Sequence, residues 1–226
     1  QVTDWDLRKK ELMKIVNKYK NNNYYDCIVP SSGGKDSTYQ VLKVKELGLN
    51  PLVVTITTDM LTPMGRKNIE NLKNKGFDYI EYTLNPLVRK KINKFTLETV
   101  GDLTWSEEVG VSCSVVRLAM KMDIKLIIWG ENSENENGGP EKNSDFFEEI
   151  IQRHDGDWFE EFGGTNGLRS SDLLSLWSDE GINELDLLPY TFPSREEFRK
   201  KEILGIFLGH YIPWDGHLNA EFSKRN

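Results

Sequence analysis

Apolar positions follow two alternating rhythms along this chain. Leu12, Ile15, Val16 and Tyr19 recur at helical spacing with lysines opposite, which predicts an amphipathic helix over 5–19. Asn21, Asn22 and Asn23 break it. The short apolar run Cys27, Ile28, Val29 then stops at Pro30 and two serines, the pattern of a buried central strand. Ser37 and Gln40 stand at capping-box spacing, so a helix is expected from Ser37 to near Gly48. A second strand is expected over 52–56, a helix over 66–75 ended by Gly76, and a third strand over 77–83. Helices over 85–100 and 112–122 and a fourth strand over 124–129 follow. Strands separated by helices of this length require parallel pairing through right-handed crossovers. The expected fold class is α/β, Rossmann-like, with one doubly wound parallel sheet.

After Asn132 the rhythm dissolves. Residues 132–169 are acidic and rich in Asn and Gly, yet hold aromatic pieces such as Phe146, Phe147, Trp158 and Phe159. Disordered segments are usually poor in aromatics, so a lid or insertion over the sheet edge is expected. A helix over 171–177, an extended link over 187–190 and a capping box from Ser194 to Glu197 come next. The apolar run 203–209 supplies a fifth strand. The expectation is a single domain over 1–226 with an insertion at 132–200.

Charge and cysteine usage narrow the classes. Lysines and arginines number 29 against 36 acidic residues, a net charge of −7, and no basic stripe stands out. A chain whose main partner is nucleic acid would want one. There is no long apolar run for a membrane span and no signal-peptide pattern. Cys27 and Cys113 form neither a CxxC pair nor a disulfide framework, so a reducing, cytoplasmic setting is expected. His210, Asp215 and His217 fit no zinc spacing, and no metal ligand is expected from these residues.

The candidate chemistry sits at the first strand's end. Ser31, Ser32, Gly33 and Gly34 let the backbone turn tightly between a strand and a helix. Free N–H groups and the positive end of the helix dipole converge at such a turn and make an anion site. Lys35 adds a full positive charge beside it. The turn is not a Walker A loop, which would need glycine where Val29 stands, and it holds no G-x-G-x-x-G. Open α/β sheets place ligands at the carboxyl ends of their strands. Thr58, Asp59 and Met60 therefore fall where an adenosine pocket would be lined, although for Asp59 alone a helix-starting turn weighs equally. Gly130 permits close backbone approach after the fourth strand, and Glu131 sits within reach of a ligand or metal. Tyr211, Trp214 and Asp215 emerge near the same edge.

The string SGGKDS at 32–37 resembles the S-G-G-x-D-S signature of the PP-loop ATP pyrophosphatases, which cleave ATP between the α and β phosphates. That resemblance implies an adenine nucleotide alpha hydrolase-like fold of five parallel strands. It also implies nucleotide binding by Ser32, Gly33, Gly34, Lys35, Asp36, Ser37 and Thr38, with Mg²⁺ arriving on ATP. Asp36 would then brace the loop or face that Mg²⁺. The segments NIENL, WGEN and IPWDGH, in this order after the loop, are similar to those of bacterial N-acetyl sugar amidotransferases of surface-polysaccharide and lipopolysaccharide synthesis.

This narrower resemblance implies an ATP-dependent exchange of an acetamido oxygen for ammonia, giving an acetamidino group, AMP and pyrophosphate. Lys35, Asp36 and Glu131 would be catalytic. Glu131, Asn132, Tyr211, Trp214 and Asp215 would meet a nucleotide-linked or free N-acetyl sugar. A separate glutaminase and a cyclase-like subunit would supply ammonia; neither nucleic acid nor membrane is an expected partner. Family members usually begin with a cysteine-rich zinc segment, which would precede Gln1. The rival readings are another adenylating PP-loop enzyme, of tRNA-modifying or ligase type, and a non-catalytic ATP-binding module.

Overall fold

The computed structural model describes residues 3–21, 23–57, 61–130, 167–177 and 181–225. Helix α1 (Trp5–Tyr19) has the expected bounds, with Asp4 accepting from the Asp6 and Leu7 N–H groups at its start. Strand β1 (Cys27–Pro30) leads through the glycine turn into α2 (Lys35–Glu46), and β2 (Pro51–Thr57) leads into α3 (Pro63–Asn74). Strand β3 (Tyr79–Thr83), helices α4 (Pro86–Val100) and α5 (Trp105–Met122), and strand β4 (Leu126–Trp129) continue the alternation. Beyond lie α6 (Ser170–Trp177), α7 (Glu184–Leu187), a 3₁₀ turn (Leu188–Tyr190) and α8 (Arg195–Lys201). Strand β5 (Leu204–Phe207), α9 (Leu208–Tyr211) and α10 (Gly216–Arg225) complete the described chain.

The five strands form one sheet in the order β3-β2-β1-β4-β5, and every pair is parallel. Successive side chains of a strand point to opposite faces, and β1 follows that alternation. Cys27 and Val29 pack with Leu12, Val16, Val41 and Val44 on one face. Ile28 packs with Val109, Cys113 and Val116 of α5 on the other. The protein is therefore an α/β doubly wound fold. Strand β1 pairs with β2 on one side and β4 on the other, so the chain leaves it in both directions and a crevice opens at the carboxyl ends.

Four sequence expectations are corrected. Helix α2 begins at Lys35, with Gly34 at the N-cap, so Ser37 is already inside it and no Ser37–Gln40 capping box forms. Helix α5 starts at Trp105 instead of 112, because the small residues Ser106, Gly110 and Ser114 let it lie buried along the sheet. Residues 187–190 are helical instead of extended, since Pro189 suits the first turn of a 3₁₀ helix. Strand β5 ends at Phe207, and Leu208 and Gly209 start α9. The Ser194–Glu197 capping box is present with both of its hydrogen bonds. Within the expected insertion, 132–166 and 178–180 lie outside the described residues; the described part gives Leu173, Ile182, Leu187, Tyr190 and Phe198 to the core.

Where α9 meets α1, His210 Nδ1 lies 3.2 Å from the Arg8 guanidinium. Burial, and then the Arg8 charge, push the imidazole's pKa down to about 4. An unfolded histidine titrates at ~6.5, so the unfolded chain binds the extra proton first as pH falls. The stability from the neutral ring is complete above that value and is lost as pH falls towards 4. Urea midpoints at pH 7 and pH 5 are expected to differ less in His210→Gln than in the parent. An unchanged difference would show that this ring carries none of the acid sensitivity.

Candidate functional site

The turn after β1 is held by hydroxyl groups. Ser31 N–H donates to the Val54 carbonyl at 2.8 Å, which continues the β1–β2 ladder by one residue. Ser31 Oγ accepts from Gly33 N–H and Ser32 Oγ accepts from Gly34 N–H, each at 3.3 Å. Ser37 Oγ lies 3.2 Å from Ser31 Oγ and 3.4 Å from Ser32 Oγ, and it donates to the Gly34 carbonyl at 3.1 Å. The Thr55 hydroxyl donates to the Ser31 carbonyl, and Tyr79 OH meets Thr55 Oγ1 at 2.5 Å.

Helix α3 closes the turn from outside. Asn68 donates to the Gly33 carbonyl at 2.8 Å. Gly33 has φ +76°, and a Cβ there would stand 3.0 Å from the Gly65 carbonyl oxygen and 3.1 Å from Ile69 Cγ1. Only glycine fits this place without strain. The head of α2 receives no side-chain cap. Its first N–H groups have no intrahelical partners, and they point out with the positive end of the dipole.

A cavity of about 300 Å³ opens there, and its lining includes Ser31, Ser32, Asp36, Ser37, Gly130 and Trp214. Three separate elements thus converge: the β1–α2 turn, the end of β4, and the segment after α9. Asp36 accepts from Asn219 of α10 at 3.0 Å and pairs with Lys35. Gly130 admits Gln40 and Trp214, since a Cβ would lie 2.7 Å from Gln40 Oε1 and 3.3 Å from the indole. Trp214 stacks edge-on against Tyr39, their centroids 5.4 Å apart.

The remaining sequence candidates divide. Lys35 and Thr38 face a different space, a groove of about 670 Å³ between α2, α3 and α10 that Lys67, Asn68 and Ser223 also line. Tyr211 is buried in the core under β5. Asp215 caps α10, accepting from the His217 and Leu218 N–H groups at 2.8 and 2.9 Å, and those bonds keep its carboxyl below the usual range. Thr58, Asp59, Met60, Glu131 and Asn132 lie outside the described residues, as does the expected lid except for 167–169.

Sequence reasoning missed Asn68, Asn219 and Gln40. Gln40 is 3% exposed and its amide donates to the Ile128 carbonyl at 2.6 Å, tying α2 to β4. A polar side chain three residues from Ser37, beside Val41 and Val44 on the buried stripe, was the signal for it. Asn68 and Asn219 act on the loop from 35 and 183 residues away in sequence, and no local pattern announces such a contact.

No protein-family model matches this sequence, and no curated protein matches it. Solved structures do resemble the fold. NH3-dependent NAD synthetase from Campylobacter jejuni shares 13% identity over 98% of this chain and 97% of its own, with a TM-score of 0.45. NMN synthetase from Francisella tularensis shares 12% over 100% of this chain and 88% of its own, with a TM-score of 0.46. A predicted subunit of tRNA methyltransferase from Methanocaldococcus jannaschii shares 15% over 88% and 73%, with a TM-score of 0.39. Superpositions this loose carry no activity from any of them to this chain.

Proposed function

We propose that this chain is an ATP-dependent amidating enzyme of the PP-loop kind, converting the acetamido group of an N-acetyl sugar into an acetamidino group. One observation supports it above the rest: the SGGKDS segment forms an uncapped helix head that opens on a cavity lined by Ser32, Asp36 and Ser37. Oriented N–H groups at such a place stabilise negative charge as it develops on a leaving pyrophosphate. The residues fit a polyphosphate: the Gly33 backbone leaves no room for a side chain, and hydroxyl groups surround the turn.

An amide oxygen leaves poorly, so ammonia cannot displace it directly. Its attack on the α-phosphate breaks the bond to the β-phosphate and releases pyrophosphate. Ammonia then adds to the activated carbon, loses a proton, and AMP departs with the former amide oxygen. Ser31, Ser32 and Ser37 hold the turn in register while this charge moves. Asp36 braces it through Asn219. Asp36 is the one carboxylate lining the cavity among the described residues, so a Mg²⁺ is expected to arrive on the phosphates and meet it there. Glu131 and Asn132 after β4 are the proposed contacts to the sugar; Thr58, Asp59 and Met60 after β2 are those to adenosine.

The nitrogen source follows from the side chains. Cys113 is fully buried in α5, where a thiol is inert, and the fully buried Cys27 thiol has its pKa pushed far up by burial and then by Asp26. The chain is therefore expected to use ammonium directly and glutamine only with a partner glutaminase, the cyclase-like subunit joining them. No described helix is long and apolar enough to cross a membrane. The test is formation of AMP and amidino sugar from ATP, with candidate N-acetyl sugars and either nitrogen source. Product with ammonium alone, rising with pH as more ammonia is unprotonated, is the expected result. ATP binding without pyrophosphate release, or efficient glutamine use by the isolated chain, would overturn it.

A further inference from the structure

Ser114, Arg117, Leu118 and Lys121 recur at helical spacing on α5 and so share one stripe of it. Strand β3, the Leu188–Pro189 turn and α8 close over that stripe and leave a cavity of about 850 Å³. Its walls are largely apolar, from Ile56, Ile80, Leu118, Met120 and Pro189. Tyr82 and Leu188 stand at it 43% and 45% exposed, a large apolar area for a surface rich in charge.

The charges around it are unbalanced. Arg117, Lys121, Lys200 and Lys201 line the cavity together with Glu81 and Glu197. Both carboxylates are already engaged. Glu81 takes Arg66 at 2.5 Å and Lys73 at 2.6 Å. Glu197 accepts from the Ser194 N–H and hydroxyl at 2.8 and 2.9 Å, bonds that lower its pKa.

The cations are less occupied. Arg117 Nε donates to the Thr191 carbonyl at 2.8 Å, which fixes the guanidinium plane, and its charge also helps lower the pKa of the Glu197 carboxyl; its terminal nitrogens form no hydrogen bond among the described residues. Lys121 and Lys200 are exposed and form no ion pair among the described residues. Ser114 is 6% exposed, and its buried hydroxyl has no hydrogen-bond partner among the described residues. A buried hydroxyl left unpaired has lost its water without a replacement, and a ligand's polar group would supply one.

We propose that this cavity is a binding site for a small organic anion with a partly apolar body. The anionic group meets Arg117, Lys121 and Lys200, and the body lies over Ile80, Leu118 and Pro189. An apolar pocket with a few convergent polar groups is the usual form of a small-molecule site. Ile56 lines this cavity and the one at the α2 head alike, and Ser114 lies about one turn along α5 from Val111 of that second cavity. A ligand here therefore borders the proposed nucleotide site. That it is the acceptor rests on the function proposed above; that it binds does not.

Binding is measured by fluorescence titration of the whole chain with 1-anilinonaphthalene-8-sulfonate and with N-phenyl-1-naphthylamine, which has the same rings without the sulfonate. The parent is expected to bind one sulfonate probe, and the neutral probe about tenfold more weakly, as charge-assisted hydrogen bonds require. Arg117→Gln, and separately the pair Lys121→Gln with Lys200→Gln, are expected to reduce the sulfonate's affinity by about tenfold and leave the neutral probe unchanged. Lys75→Gln, in the groove by α3, is expected to change neither. The lysine pair keeps the test intact if loss of the Thr191 contact unfolds Arg117→Gln. No sulfonate binding by the parent, equal binding of both probes, or unchanged affinity in the lysine pair overturns the site. None of these outcomes depends on ATP turnover, so failure of the site and failure of the proposed reaction are read separately.

Discussion

Gly33→Ala is expected to remove nearly all of the proposed ATP-dependent turnover while the sheet stays folded. Two effects combine at this position. An alanine at φ +76° adopts the left-handed region at a cost of about 1–2 kcal/mol. Its Cβ would also press on the Gly65 carbonyl at 3.0 Å, and that oxygen belongs to helix α3, which cannot yield as a flexible side chain can. The turn has to move instead, and the N–H groups of the α2 head move with it. A displacement near 1 Å at a positioning element costs roughly 100-fold in rate. The measurement is AMP release together with thermal unfolding of the variant. A parental rate with a parental melting temperature would show that the turn's position does not govern the chemistry.

Asp36→Ala is expected to lower the proposed turnover by about 100-fold, because misplacement of a loop that positions reacting groups is penalised on that scale. Lys35→Ala is expected to cost less. The sequence presents Lys35 and Asp36 as equals, but the structure separates them. Asp36 lines the cavity and is tied to Asn219 at 3.0 Å, whereas the Lys35 side chain is 52% exposed and faces the groove beside α3. Asn219→Ala should reproduce part of the Asp36 loss, since it removes the group that fixes the carboxylate. Neither Lys35 nor Asp36 leaves a core void when truncated, so both variants should unfold close to the parent. If Lys35→Ala proves the more damaging, the lysine reaches the cavity during turnover and the two side chains share one role.

The strands were legible because burial and chemistry coincide in them. Runs such as Cys27 to Val29 and Leu52 to Val54 are apolar on both faces, as a covered parallel sheet requires, and all five strands lie where the runs stand. Helix boundaries were less legible where backbone geometry competes with side-chain signals. Ser37 and Gln40 have the spacing of a cap, but Gly34 starts the helix earlier and frees both side chains for other partners. Ser194 and Glu197 have the same spacing with no glycine nearby, and there the box forms. Within the candidate site, the loop was legible as a local string and Trp214 as a residue after the last strand. Tyr211 was misplaced because the short α9 turns it into the core instead of along the edge. The asparagines that fix the loop were invisible, for their partners are set by how α3 and α10 pack.

The position of β1 at the centre of the sheet also governs when the molecule can assemble. Ile28 pairs with Leu52 on one side and with Ile127 on the other. The first pairing closes a short crossover; the second must wait for most of the chain and carries a larger loop-closure cost. During synthesis, β1, β2 and β3 can form a three-stranded half while β4 and β5 are still to come. That half already contains the whole SGGKDS turn, but Gly130 and Trp214 have not arrived to wall the cavity. The nucleotide proposed for this site would therefore meet it finished only after the late half docks, and its binding would favour the completed sheet over the nascent one.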